Sequence, residues 1–157
     1  MIEIRDPIHG FITLNDWERD IINHPVFQRL RRIRQLSLTD MVYPGAMHTR
    51  FEHSLGVMEV ATRMFDRIRE KREQFLKSEL NFDKAGLMRD RVLIRLSCLL
   101  HDVGHAPFSH ASEGLMDKNP ATGKSYKHEH YSAAAVSFLM QDVIDNHPDN
   151  QNYRIKA

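Results

Sequence analysis

Apolar residues recur at helical spacing in four stretches of this chain, while its first residues alternate. Ile2 and Ile4, a turn at Asp6-Pro7 and Gly10, then Phe11, Ile12 and Leu14 read as a small β-hairpin or two short extended pieces. Asp16 is placed to cap a helix running to about Asn23, which His24-Pro25 ends. Val26, Phe27, Leu30 and Ile33 predict a second helix over 25–38. A loop over 39–49, with Pro44-Gly45, leads to a third helix that opens at Arg50 and continues in charged form to about Leu80. There His53, Val57, Val60, Ala61, Met64 and Ile68 share the face expected to be buried. After a break at 81–86, Val92, Leu93, Leu96, Leu99, Leu100 and Val103 predict a helix over 91–103, with Gly104 as its stop and Pro107 beyond. Beyond a polar loop at 120–127, a last helix is expected over 128–146, with Val136, Leu139, Met140, Val143 and Ile144 inward. Asp142 and Asp145 project to its opposite side. Residues 147–157 carry no core pattern and are expected to form a loose tail, leaving 1–146 as the folded unit.

Composition narrows the class. The chain has 157 residues, 41% of them hydrophobic, which suits one domain with a real core. Its 22 basic and 21 acidic residues nearly cancel, so nucleic acid is not expected as a main partner. Cys98 is the only cysteine, which excludes an internal disulfide framework and fits a reducing compartment. No apolar run has transmembrane length and the N-terminus is no signal peptide, so a cytoplasmic protein without membrane contact is expected. Arg29, Arg31, Arg32 and Arg34 form either a solvated face or a cluster able to hold phosphate.

The chemistry-bearing residues gather behind the 91–103 helix. His101, Asp102, His105 and His110 lie within ten residues, around Gly104 and Pro107. His101 and Asp102 fall in the last helical turn, where adjacent side chains point about 100° apart and can both reach one ion off the helix end. Imidazole with carboxylate suits Fe, Mn, Zn, Ni or Co. A His-Asp hydrogen bond that merely closes the helix is the plainer reading of the pair alone. His53 adds weight to the metal reading, because it lies on a stripe that must pack against the His101 helix.

The order His53…His101-Asp102 resembles the signature of HD-domain metal-dependent phosphohydrolases. The resemblance extends over Asp6-Pro7-Ile8-His9-Gly10, Phe27-Gln28-Arg29-Leu30-Arg31, Gln35-Leu36, Pro44-Gly45-Ala46, Arg50 through Val57, and His101 through His110. Together these are similar to the dNTP triphosphohydrolase branch of the sterile-alpha-motif-and-HD-domain type, across roughly residues 5–138. The resemblance implies an all-α HD-domain core carrying the short hairpin. His53, His101 and Asp102 would be metal ligands, and Mg²⁺ would accompany the substrate triphosphate. Arg50 would hold substrate phosphate, and Gln35 with Leu36 would line a deoxyribose pocket. His105, His110, Glu113 and His128 would flank the triphosphate and attacking water, with His128 as proton donor and Glu113 orienting it. It further implies a deoxynucleoside triphosphate substrate, a homo-oligomer, and a second metal-ligand aspartate downstream. These 157 residues are therefore expected to be an incomplete piece with little or no hydrolysis of their own. The alternatives are a phosphohydrolase for another nucleotide phosphoester and a non-catalytic metal- or nucleotide-binding module. Asn23 stands where guanine-recognising members carry an acid, which argues against guanine-nucleotide activation.

Overall fold

The computed structural model describes residues 2–157 and is predominantly helical, with one antiparallel hairpin. The hairpin pairs β1 (Ile2–Asp6) with β2 (Gly10–Leu14), Ile4 opposite Ile12. Asp6 makes its turn by accepting the Ile8 and His9 amides at 2.9 and 2.8 Å, and Gly10 follows at φ +80°, a conformation natural to glycine. Asn15, not Asp16, caps α1 (Asp16–Asn23). Its side chain accepts the Glu18 amide at 2.7 Å while Glu18 accepts the Asn15 amide at 3.1 Å.

The second helix is shorter than its apolar spacing predicts. α2 (Pro25–Gln28) passes into a 3₁₀ turn (Arg29–Arg32), and the chain is extended at Ile33. Backbone pairing wins there. The Arg50 amide donates to the Ile33 carbonyl at 2.9 Å and the Gln35 amide to the His48 carbonyl at 3.1 Å. That pairing brings Gln35 beside the start of α3 (Arg50–Ser78).

The buried face of α3 also differs from the expected one. Phe51, Ser54, Leu55, Met58 and Thr62 are buried, whereas Val60, Met64 and Ile68 face outward, Met64 at 61% exposure. Both stripes have helical spacing, so periodicity could not choose between them. Tertiary partners decide: Phe51 meets Phe27 edge-on with ring centroids 5.5 Å apart, and Thr62 accepts from Arg95 of α4 (Lys84–Leu100) at 3.0 Å. Asp83 caps α4 earlier than the stripe suggests, by accepting the Gly86 amide at 2.6 Å. Leu87, Leu96, Leu99 and Leu100 are buried from it, with Val103 just beyond, while Leu93 is exposed. Arg95 pairs with buried Glu18 at 2.5 and 2.8 Å and donates to the Thr13 carbonyl at 3.0 Å, tying the hairpin and α1 to α4.

The last helical stretch is broken into α5 (His128–Ala134), a π-helical turn (Ala135–Leu139) and α6 (Gln141–Asp145). The wider turn inserts an extra residue and rotates the face. Met140 and Ile144 stay in the core, but Leu139, expected inward, is 62% exposed. Residues 147–157 are not a loose tail. Pro148–Asn152 forms a 3₁₀ turn, and Asn150 and Ile155 are buried. Asn150 donates to the Ile144, Asp145 and Ile155 carbonyls and accepts the Ile155 amide. Asp145 is engaged here too, with Lys156 at 3.1 Å and the Ala157 amide at 2.9 Å, and Asp142 bonds Asn146 at 2.8 Å. Among the described residues, no helix is long and apolar enough to cross a membrane.

Candidate metal centre

α4 ends at Leu100, so His101 is its C-cap and Asp102 lies in the following turn rather than in the helix itself. That turn is held from several sides. Ser132 of α5 accepts the Gly104 amide at 2.9 Å and donates to the His101 carbonyl at 2.8 Å. α5 presses so closely that a Cβ on Gly104 would stand 2.1 Å from the Ser132 amide nitrogen. Arg29 donates to the carbonyls of Val103 at 2.6 Å and His105 at 2.5 Å.

This answers the arginine cluster. Arg29 is spent on the turn, Arg31 lies over the Phe51 ring at 3.5 Å, and Arg34 donates to the Met47 carbonyl. Only Arg32 among them is an exposed side chain without such a bond, so the four do not form a phosphate clamp.

His53, His101 and Asp102 converge, each offering a ligand atom within 4.8 Å of the others. His101 Nε2 stands 3.3 Å from Asp102 Oδ1, and His53 Nε2 stands 3.5 Å from Oδ2. The His101 Nδ1–H donates to the Cys98 carbonyl at 2.7 Å, which leaves the Nε2 lone pair facing the carboxylate. Donor atoms bound at about 2.0–2.2 Å to one ion lie roughly 3–3.5 Å apart, so the set fits a divalent metal. Burial by itself would raise the Asp102 pKa, but His101 and Arg50 outweigh it and hold the carboxyl below its usual range, ionised and ready to ligate. Burial lowers the His53 pKa, keeping that imidazole neutral, as a ligand must be. The hydrogen bond to Asp102 raises that of His101.

Arg50 is 1% exposed, and its two terminal nitrogens bond Asp102 Oδ2 and Ser109 Oγ. The expected phosphate-holding arginine is thus committed to the metal-site carboxylate. Ser109, which sequence reasoning passed over although it lies within the His101–His110 motif, also donates to the Gln35 carbonyl at 3.1 Å. Phe108 and Ser109 both have left-handed backbone, φ +67° and +56°, a strained pair that turns Ser109 toward Arg50. Gln35 Oε1 is buried without a donor, while Leu36 is exposed.

A second imidazole group borders the first. Glu113 accepts from His128 Nδ1 at 2.6 Å and from His110 Nδ1 at 3.0 Å. The bond from His128, aided by His110 against a small burial cost, lowers the Glu113 pKa to about 2. His105 is completely buried and stacks on His128, with ring centroids 3.8 Å apart. Asp102 Oδ1 lies 3.5 Å from His105 Nε2 and 3.9 Å from His128 Nε2. Of the residues that the resemblance implicates in metal, substrate or proton handling, all except exposed Leu36 join one connected cluster around Asp102.

Comparison with known proteins identifies relatives and a family. The chain is 40% identical over 136 residues to the deoxynucleoside triphosphate triphosphohydrolase SAMHD1 of Xenopus laevis, covering 87% of this chain and 20% of that protein. It is 36% identical over 139 residues to the SAMHD1 homolog of Dictyostelium discoideum, covering 88% and 25% respectively. With human SAMHD1 it shares 44% identity over 137 residues, again 87% of this chain and 20% of the relative. The chain thus spans about a fifth to a quarter of the length of these relatives. The HD domain model matches residues 50–152, a span that holds His53, His101, Asp102 and both imidazole groups, and the chain belongs to the HD domain family.

Proposed function

We propose that this chain carries the site of a dNTP triphosphohydrolase, which converts a deoxynucleoside triphosphate and water into deoxynucleoside and tripolyphosphate. The observation that carries the reading is that one carboxylate, Asp102, borders both the metal-ligand trio and the His105/His128 stack. A metal trio alone would suit many hydrolases. A carboxylate-oriented histidine beside it supplies the proton donor that cleavage of an ester bond to an alcohol requires.

His53, His101 and Asp102 would hold the ion, with Fe, Mn, Zn, Ni or Co suited to two imidazoles and a carboxylate, and Mg²⁺ would travel with the triphosphate. A divalent ion supplies Lewis acidity and lowers the pKa of water there, from 15.7 toward about 7. Water oxygen joins the α-phosphorus, the bond from that phosphorus to the 5′ oxygen breaks, and the 5′ oxygen takes a proton. Glu113 fixes the Nδ1–H of His128, which turns Nε2 of that ring toward the reacting side as donor when protonated. Arg50 stabilises Asp102 in its ionised form and, released from Ser109, has a free arm for phosphoryl oxygen. Gln35 Oε1, a buried acceptor without a donor, suits a sugar hydroxyl.

The test is incubation of the full-length protein with each dNTP and Mn²⁺, followed by product analysis. Tripolyphosphate and deoxynucleoside in equal amounts are expected. Orthophosphate as the phosphorus product would assign another phosphoester chemistry, and nucleotide binding without product would make the chain a binding module.

A further inference from the structure

Among the buried polar atoms without a partner are Oε1 of Gln35, an acceptor, and Nε of Arg50, a donor. One side chain joins the two residues that carry them. Ser109 Oγ accepts from Arg50 Nη2 and donates its own hydrogen to the Gln35 carbonyl at 3.1 Å. We propose that Ser109 is a positioning residue, which holds the Gln35 acceptor for a sugar hydroxyl in register with the Arg50 donors for phosphate.

The backbone at Ser109 is one that glycine would adopt more easily. Phe108 and Ser109 are both left-handed, at φ +67° and +56°, a conformation that costs side-chain-bearing residues and that Gly10 and Gly123 take elsewhere in this chain. Such strain persists only where the surroundings fix it. Here they fix the hydroxyl. Ser109 is 3% exposed, its one hydroxyl hydrogen goes to the carbonyl, and its oxygen takes the guanidinium. Its own carbonyl accepts from Ser112 Oγ at 2.8 Å, which anchors the residue in its turn.

Gln35 has little freedom under this hold. Its amide donates to the His48 carbonyl at 3.1 Å and its carbonyl accepts from Ser109, so both of its backbone groups are bonded. Arg50 is fixed likewise, by Asp102 at one terminal nitrogen and by Ser109 at the other. The atoms left over have opposite polarity. A ligand that carries a hydroxyl and an anionic oxygen on one frame satisfies both, as a sugar phosphate does. Choosing a dNTP as that ligand rests on the proposed function. Without the Ser109 hydroxyl, the Gln35 carbonyl is released and the direction of Oε1 is no longer set.

Equilibrium binding of dATP and of 2′,3′-dideoxy-ATP to the full-length protein in Ca²⁺ tests this role, because the two nucleotides differ only in the 3′-hydroxyl. The wild type should prefer dATP, and Ser109→Gly should lower that preference about tenfold, the worth of one well-placed hydrogen bond. Ser109→Ala should lower it equally, since both variants lose the hydroxyl while only glycine relieves the backbone. Gln35→Met should also lower the preference, but far less once Ser109→Gly is present, because the two act through one contact. A preference unchanged in both Ser109 variants, or changed in only one of them, would overturn the proposal. So would a wild type without a preference for dATP, or a Gln35→Met effect of the same size in both backgrounds. Binding that behaves as expected, with no tripolyphosphate formed from dATP in Mn²⁺, would refute the functional reading and leave Ser109 in its role.

Discussion

Arg50 and Asp102, 52 residues apart in sequence, meet as a buried ion pair at the first turn of α3. Neither side chain has water enough to solvate its charge alone. Removing the arginine should therefore strand a buried carboxylate, at a cost of about 3–5 kcal/mol. Urea unfolding of Arg50→Met should show that loss, and Arg50→Met/Asp102→Asn should recover a substantial part of it. Additive losses from the two substitutions would mean that the pair is not coupled.

His101→Ala should empty the metal site, because it removes the one ligand whose tautomer is fixed by a backbone carbonyl. Metal analysis after dialysis should find the trio's equivalent gone. Unchanged metal content would assign the ion elsewhere.

Gly104→Ala should destabilise the domain by about 3 kcal/mol or more, at the upper end of overpacking effects. The added methyl meets backbone atoms of Tyr131 and Ser132 rather than a side chain that could swing away. A lower urea midpoint at unchanged m, with weakened metal retention as the 101–104 turn shifts, is the expected readout.

His105 should make the apo protein sensitive to mild acid. Its folded-state pKa, depressed to about 3 by burial, lies below the ordinary value of 6.5. The unfolded chain therefore takes up a proton that the folded chain refuses, and stability falls as pH drops from about 6.5 toward 3. One such proton contributes up to about 1.4 kcal/mol per pH unit. With EDTA present, His105→Gln should flatten the stability profile over that interval. Parallel profiles for the two proteins would show that His105 does not cause the acid sensitivity.

The sequence made the chemistry more legible than the packing. His101 and Asp102 could be read together because adjacency and Gly104 confine them to one turn. The hairpin was legible because Asp6-Pro7 and Gly10 encode its turn. His53 was placed by an argument about burial beside Val60, Met64 and Ile68, yet those residues face solvent. His53 still reaches Asp102, at 3.5 Å, because it sits on the rim between the exposed face and the packed one. The packed face includes Ser54 and Thr62, polar residues whose burial depends on distant partners such as Arg95. The roles of Ser132 and Arg29 were not legible for the same reason: each acts through backbone groups of a turn remote in sequence. The rotation at Ala135–Leu139 had no signal in an apolar period that both an α turn and a π turn can satisfy.

The Asn150 amide has a consequence for the chemical durability of the fold. By engaging Ile144, Asp145 and both backbone groups of Ile155, it closes residues 144–155 into a ring without a covalent link. Such a ring opens as a unit, so the Ile155 amide should be among the slow hydrogen exchangers of the molecule. Deamidation at this one position would set a carboxylate against three carbonyl oxygens and undo the closure in a single step. An aged preparation would then lose protection at Ile155 while the His101–Gly104 turn, held by Ser132 and Arg29, keeps its own.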